Sequence, residues 1–189
     1  MSIHPNATVD PTATIDPTAT IDPTATVGPR ATIAEGIIVG PRAIVGEGAT
    51  VGPRATVGPR ATIAEGATIG TGAIVEEGAT IEVGAIVGEG AVLGAGATVG
   101  DSATVGPRAT VAEGATVAEG ATIGVGAIIE AGAIVGKYAT VEEGAVLGAG
   151  AQFKSGAVLG PRTVVHAGEY IGEGTVVEAG AVTKPTEVR

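Results

Sequence analysis

Cysteine and tryptophan are absent from the 189 residues, phenylalanine and methionine occur once each, and tyrosine twice. Without cysteine there is no disulfide framework and no thiolate metal site. With aromatics at 2% of the chain, the core must be filled by aliphatic side chains. No apolar run approaches the roughly 18 residues that a membrane-crossing helix needs. Cations are also scarce: 10 Lys and Arg stand against 20 Asp and Glu, for a formal charge of −10. That balance argues against nucleic-acid or anionic-membrane partners. The N-terminus lacks a basic segment followed by an apolar one, and together with the missing cysteine this predicts a cytoplasmic protein.

What the chain has in quantity is glycine, 33 residues, and proline, 11. Such a content often signals disorder, but here the placement is periodic. Cut into hexads from Met1, the sequence runs through 31 of them without a slip and leaves only Glu187, Val188 and Arg189. Position 3 is apolar in 30 hexads, the exception being Thr183, and position 1 is Ala in 26. Every glycine falls at position 4 or 6, every proline at position 5. A short period held over the whole chain is the mark of a solenoid.

Positions 1 to 3 alternate a small inward residue, an outward Thr, Ile or Val, and a large inward aliphatic residue, the period of a strand with one buried face. Pro at position 5 moves position 4 out of the helical region and fixes its own φ, and Gly at position 6 permits positive φ. A Gly or Pro in nearly every hexad excludes helix.

This pattern resembles the hexapeptide repeat of left-handed parallel β-helices, an acyltransferase-like family. The resemblance implies an all-β triangular solenoid of about ten 18-residue coils, three hexads to a coil. Residues 1–189 are expected to form one β-solenoid domain without insertions, with residues 163–189 as the C-terminal capping coil and tail. The start, MSIHPNATVDPTATI, resembles that of UDP-N-acetylglucosamine O-acyltransferases. The run Gly180-Ala181-Val182-Thr183-Lys184-Pro185 resembles the end of the β-helix in hexapeptide acetyltransferases. The loops that build the acceptor site in that family, and its C-terminal helical segment, have no counterpart. The chain looks like an idealised or designed version.

Sorting hexads by threes assigns outward residues to three faces. One face carries Ile38, Ile74, Val92, Ile128, Val146, Val164 and Val182, a candidate interface of the kind that contiguous apolar surface marks. The resemblance implies side-by-side homotrimers through such a face. The competing explanation is that Ile and Val are there for strand propensity alone. At one corner an Arg follows a Glu at an offset of 19 three times, Glu35 with Arg54, Glu89 with Arg108 and Glu143 with Arg162, which predicts ion pairs that hold coil register. In the last coil Thr163, Glu169 and Thr175 replace inward Ala, and Thr183 follows, so these four residues are expected to cap the core as it turns polar.

Three functions compete. The first is a structural, self-assembling scaffold without catalytic activity, cofactor or metal, with itself as partner. The second comes from the resemblance: acyl transfer from an acyl-CoA or acyl carrier, with a His general base at the subunit interface. His166 is the candidate for that base, and His4 lies at the chain's start. The third is an ice-type surface formed by the Thr columns, which here offer one rank per face. The resemblance also includes metal catalysis by three His gathered from two subunits, but His4 and His166 lie 27 hexads apart, so one chain cannot bring them together. The absence of a sequence-adjacent orienting carboxylate or acceptor loop favours the scaffold.

Overall fold

The computed structural model describes residues 2–3 and 6–183. Thirty two-residue strands, from β1 (Ser2–Ile3) to β30 (Val176–Val177), each occupy positions 2 and 3 of a hexad, and no helix occurs among the described residues. They form three ten-stranded parallel sheets, each made of every third strand. Sheet A begins with Ser2–Ile3, sheet B with Thr8–Val9 and sheet C with Thr14–Ile15. All pairings keep an 18-residue register, as in Thr98↔Thr116 and Val99↔Val117. The architecture is the all-β left-handed parallel β-helix that the family resemblance implies.

The alternation of the hexad explains the core. From Ala19 to Leu159, positions 1 and 3 are buried without exception. Position 2 faces outward between them. Ala columns bring the walls together, and Val, Ile, Leu and the one Phe, Phe153, fill the interior. Each fully buried aliphatic side chain contributes roughly 1.5–3 kcal/mol.

Each hexad then turns a corner, named here by the sheets it joins: A/B, B/C or C/A. At every corner from Arg30 to Gly180, position 6 has φ between +54° and +71°. The N–H of the next Ala returns to the carbonyl of position 4, as from Ala97 to Gly94 at 3.0 Å. This is a type II turn, with its i+1 site open to Pro and its i+2 site in the left-handed region. The requirement belongs to the turn and not to glycine, for Arg30, Arg42, Arg54, Arg60, Ser102, Arg108, Tyr138 and Arg162 adopt the same conformation.

The corners at Asp10-Pro11-Thr12, Asp16-Pro17-Thr18 and Asp22-Pro23-Thr24 differ. Their Thr residues are not among those with positive φ. Instead Asp10 Oδ1 accepts both the N–H (2.8 Å) and the hydroxyl (2.6 Å) of Thr12, and Asp16 and Asp22 hold Thr18 and Thr24 in the same way. Elsewhere the position 6 N–H of one coil donates to the position 5 carbonyl of the coil below, as Gly48 to Pro29 at 2.9 Å. At these three corners the Thr hydroxyl takes that carbonyl's place, accepting from Arg30, Gly36 and Arg42 at 2.9–3.0 Å.

Position 5 is the place in the hexad whose N–H makes no turn or coil-to-coil backbone bond among the described residues. That is why all eleven prolines collect there without loss.

Candidate functional site

The outward residues of sheet A stand in register one above another. Ile128 pairs with Val146, Val146 with Val164, and Val164 with Val182 through an isolated bridge. Ile74 pairs with Val92 below them. Ile38, Ile74, Ile128 and Val182 are exposed, while Val92, Val146 and Val164 are half-buried. Sheets B and C also expose aliphatics, Ile44, Ile134, Ile86 and Val176 among them. Exposure alone therefore does not single out face A; its four-residue run from Ile128 to Val182 does.

The three Glu–Arg pairs at the C/A corner do not form ion pairs. Arg54, Arg108 and Arg162 instead donate their backbone N–H to the carbonyls of Glu35 (2.9 Å), Glu89 (2.8 Å) and Glu143 (2.9 Å). Their left-handed backbone lays the side-chain stem across the glycine one coil below: a Cβ on Gly36 would lie 3.4 Å from Arg54 Cγ, and one on Gly144 3.4 Å from Arg162 Cγ. Among the described residues the ion pairs are Arg30–Glu47, Arg60–Glu77 and Lys137–Glu119, the last at 2.8 Å. In these three pairs offset 19 joins backbone to backbone, and the side chains form no ion pair.

Position 4 glutamates have a role that residue spacing did not reveal. Glu76, Glu82 and Glu130 accept the position 5 N–H of the coil above, from Ala95, Asp101 and Ala149 at 2.9–3.1 Å. They satisfy the donor that the backbone ladder omits. Glu119 on the B/C corner accepts from Lys137 Nζ (2.8 Å) and Tyr138 Oη (2.8 Å). The two donors hold its carboxyl below the usual carboxylate range, and Glu119 in turn raises both Lys137 and Tyr138 above their ordinary values. The Tyr138 ring covers Gly120, where a Cβ would come within 2.5 Å of it.

At the C-terminal end, Thr163 and Glu169 are the buried polar residues among those described. Thr163 Oγ1 lies 2.6 Å from the Gly160 carbonyl and 3.1 Å from that of Glu178, one coil further on. Glu169 accepts from the Thr183 hydroxyl and from the backbone N–H of His166 at 3.2 Å. Thr175 is exposed and Thr183 half-buried. No buried side-chain nitrogen or oxygen among the described residues lacks a partner.

His166 sits half-buried at the A/B corner, beside face A. Glu169 holds its main chain and not its imidazole, so the nearest buried carboxylate does not orient the ring. His4, the tail beyond Thr183 and Pro185 lie outside the described residues. No three His, Asp or Glu side chains among the described residues come together as metal ligands. No described helix is long and apolar enough to cross a membrane.

The profile described as bacterial transferase hexapeptide (six repeats) matches residues 48–82 and 84–119, and that of the hexapeptide repeat of succinyl-transferase matches 138–173. The chain is a hexapeptide-repeat left-handed β-helix protein. The β-helix superposes on the UDP-N-acetylglucosamine O-acyltransferase of Moraxella catarrhalis with a TM-score of 0.66 at 22% identity, covering 88% of this chain and 69% of that one. LpxA of Acinetobacter baumannii gives 0.64 at 16%, covering 84% and 70%. The Arabidopsis UDP-N-acetylglucosamine acyltransferase gives 0.52 at 18%, covering 93% and 70%. At these identities the likeness is one of fold. No curated protein matches the chain.

Proposed function

We propose that this β-helix is an idealised structural scaffold that self-associates through face A and has no catalytic activity. The observation that carries the reading is the unbroken outward run Ile128, Val146, Val164 and Val182 on sheet A. Contiguous apolar surface of this kind stabilises association by roughly 25 cal/mol per Å² removed from water, before the costs of ordering. The last coil acts as its cap: Thr163 and Glu169 turn the core polar, and Thr183 closes over Glu169. The homotrimer expected from the family resemblance is the parallel solution of the same contact. Light scattering on a size-exclusion column tests the reading. Wild-type chain is expected above its monomer mass of 18.0 kDa, and Ile128→Lys is expected at that mass. A monomeric wild type overturns the proposal.

The likeness to solved acyltransferases supports a second reading, with His166 as general base in a cleft between copies, since its corner borders face A. A His near neutral pKa suits that task. Binding of coenzyme A to wild type and its loss in His166→Ala would favour it; no binding in an associated wild type would sink it.

A further inference from the structure

Backbone donors between coils run in two directions. On the strands an N–H donates to the coil above, as Thr98 to Ala115 and Gly100 to Val117. At the corners it donates to the coil below: every position 6 from Gly48 to Gly180 gives its N–H to a position 5 carbonyl there. The Asp-Pro-Thr corners depart from this. The N–H groups of Thr12, Thr18 and Thr24 go to Asp10, Asp16 and Asp22 of their own corner. Ala13 still closes its turn on the Asp10 carbonyl at 3.0 Å, as Ala19 does on Asp16 and Ala25 on Asp22. Without positive φ at Thr these are type I turns, in which the peptide between Pro and Thr is flipped relative to the type II corners above.

We propose that the Asp-Pro-Thr corners close the lower end of the solenoid against a second copy of the chain, which would otherwise stack there head to tail. The corner is one-sided. Toward the coil above, the Thr hydroxyls accept from the N–H groups of Arg30, Gly36 and Arg42, so a left-handed corner sits on them without loss. Toward the coil below, the flipped peptide offers a carbonyl and no N–H. A hydroxyl both donates and accepts, so a Thr corner can also carry its own kind. A left-handed corner offers its position 5 carbonyl upward, and a Thr corner set on it would face carbonyl with carbonyl. No described Thr corner stands on a left-handed one: Thr12 and Thr18 belong to the first coil, and Thr24 stands over residues 4–6.

A second copy would bring that missing combination. Continuing the helix beyond the 31 hexads sets Asp10-Pro11-Thr12 of one copy on Glu178-Ala179-Gly180 of the other, and Gly180 is left-handed, with φ +69°. The same step sets Asp10 on Glu178, both at position 4. Within the described chain no two acids at position 4 stand on successive coils of one corner, and opposed like charges disfavour such a partner. The Asp16 corner would fall on residues 184–186, outside the described residues. The strands of the first coil, Thr8–Val9 and Thr14–Ile15, pair only with the coil above, and an edge of this kind is a template for another chain. The strands invite a second copy and the corners refuse it.

The quadruple variant Asp10→Ala, Thr12→Gly, Asp16→Ala, Thr18→Gly gives both corners a residue free to turn left-handed and removes the carboxylates. By electron microscopy, wild type is expected as rods about 50 Å long, its ten coils at about 4.8 Å each. The variant, with wild-type circular dichroism, is expected as filaments of many such lengths, with a scattering mass that grows with concentration. Stacking lengthens the rod and side association through face A does not, so the outcome is independent of the proposed function. The pair Asp10→Asn, Asp16→Asn removes charge, keeps the acceptor, and should stay short. A folded quadruple variant of wild-type length, filaments of wild type, or filaments of the Asn pair would each overturn the proposal.

The one-sided corner is also tested without assembly, by the same three changes at two places. Ala34→Asp, Glu35→Pro, Gly36→Thr builds an Asp-Pro-Thr corner above Thr18, and Ala112→Asp, Glu113→Pro, Gly114→Thr builds one above left-handed Gly96. The first should move the melting temperature by no more than about 2 °C, and the second should lower it by about 5 °C or more, through the lost bond from Gly114 to Ala95 and the opposed carbonyls. Equal shifts at the two corners would deny the corner its direction and overturn the proposal even if the quadruple variant does not fold.

Discussion

At Val99 the side chain is buried and at Thr98, one residue earlier, it faces outward. Val99→Asp should therefore remove most of the folded population at room temperature, because an unpaired carboxylate cannot be accommodated among Ala and Val columns. Thr98→Asp should cost no more than about 1 kcal/mol. Thermal unfolding of the two variants separates them, and equal losses would refute the inward/outward assignment. This much was legible from period alone, since alternation within each hexad leaves only one way to bury position 3. The backbone at position 6 was only half legible. Glycine announced the left-handed turn, but Arg42 and its counterparts hold the same conformation at a cost. Arg42, which forms no ion pair among the described residues, is the clean probe: Arg42→Gly should gain about 0.5–1 kcal/mol and raise the melting temperature by about 1–4 °C. An unchanged or lowered melting temperature would show that the turn tolerates side chains freely. The same conformation explains why the Glu–Arg spacing at the C/A corner misled, for it sends the Arg stem over the glycine below.

A corner is the smallest element in which sequence and structure can disagree, and two kinds of corner bond differently. Glu130 accepts the N–H of Ala149 at 2.9 Å. Glu142 occupies the equivalent place, but the residue above it is Pro161, which has no N–H to offer. Glu130→Ala should cost about 1 kcal/mol and Glu142→Ala close to nothing; similar losses in chemical denaturation would contradict that distinction. Position 4 acids could have been read from the sequence had the unpaired position 5 N–H been known, and that requires the ladder. At the B/C corner, Glu119 is lowered by Lys137 and Tyr138, which are raised by it. A lowered carboxyl stabilises the fold above its unfolded value and loses that contribution as pH falls through its folded one. The raised Lys137 and Tyr138 do the opposite, stabilising below their unfolded values and losing the contribution as pH rises through the folded ones. The cluster is thus intact at neutral pH and dissolves toward both extremes. In Tyr138→Phe, the midpoint of the Glu119 titration followed by NMR should move up; an unmoved midpoint would remove the Tyr138 hydrogen bond from the account.

Taken whole, the chain is a one-dimensional stack in which each coil touches only its neighbours. Its architecture was legible because every hexad repeats the same instruction. Its use was far less so, because a uniform repeat leaves few residues with a distinct environment. The exceptions gather at the end, where the Thr163 hydroxyl bonds the carbonyls of Gly160 and Glu178 and the Thr183 hydroxyl bonds Glu169; the inward positions of these three, though not their partners, could be read from the hexad register. Thr183→Val should leave Glu169 short of a donor and loosen the last coil, with amide exchange of Val182 and Val164 rising before that of Val99. Uniform exchange across the stack would deny the end a separate stability. The coil-to-coil hydrogen bonds, such as Thr98 to Ala115 and Gly100 to Val117, all run along the solenoid axis. A tensile load applied between the two ends would therefore fall on one coil interface after another in series. The rod should lengthen by discrete parting at its weakest junction, and a sideways shear would have to slide whole sheets at once.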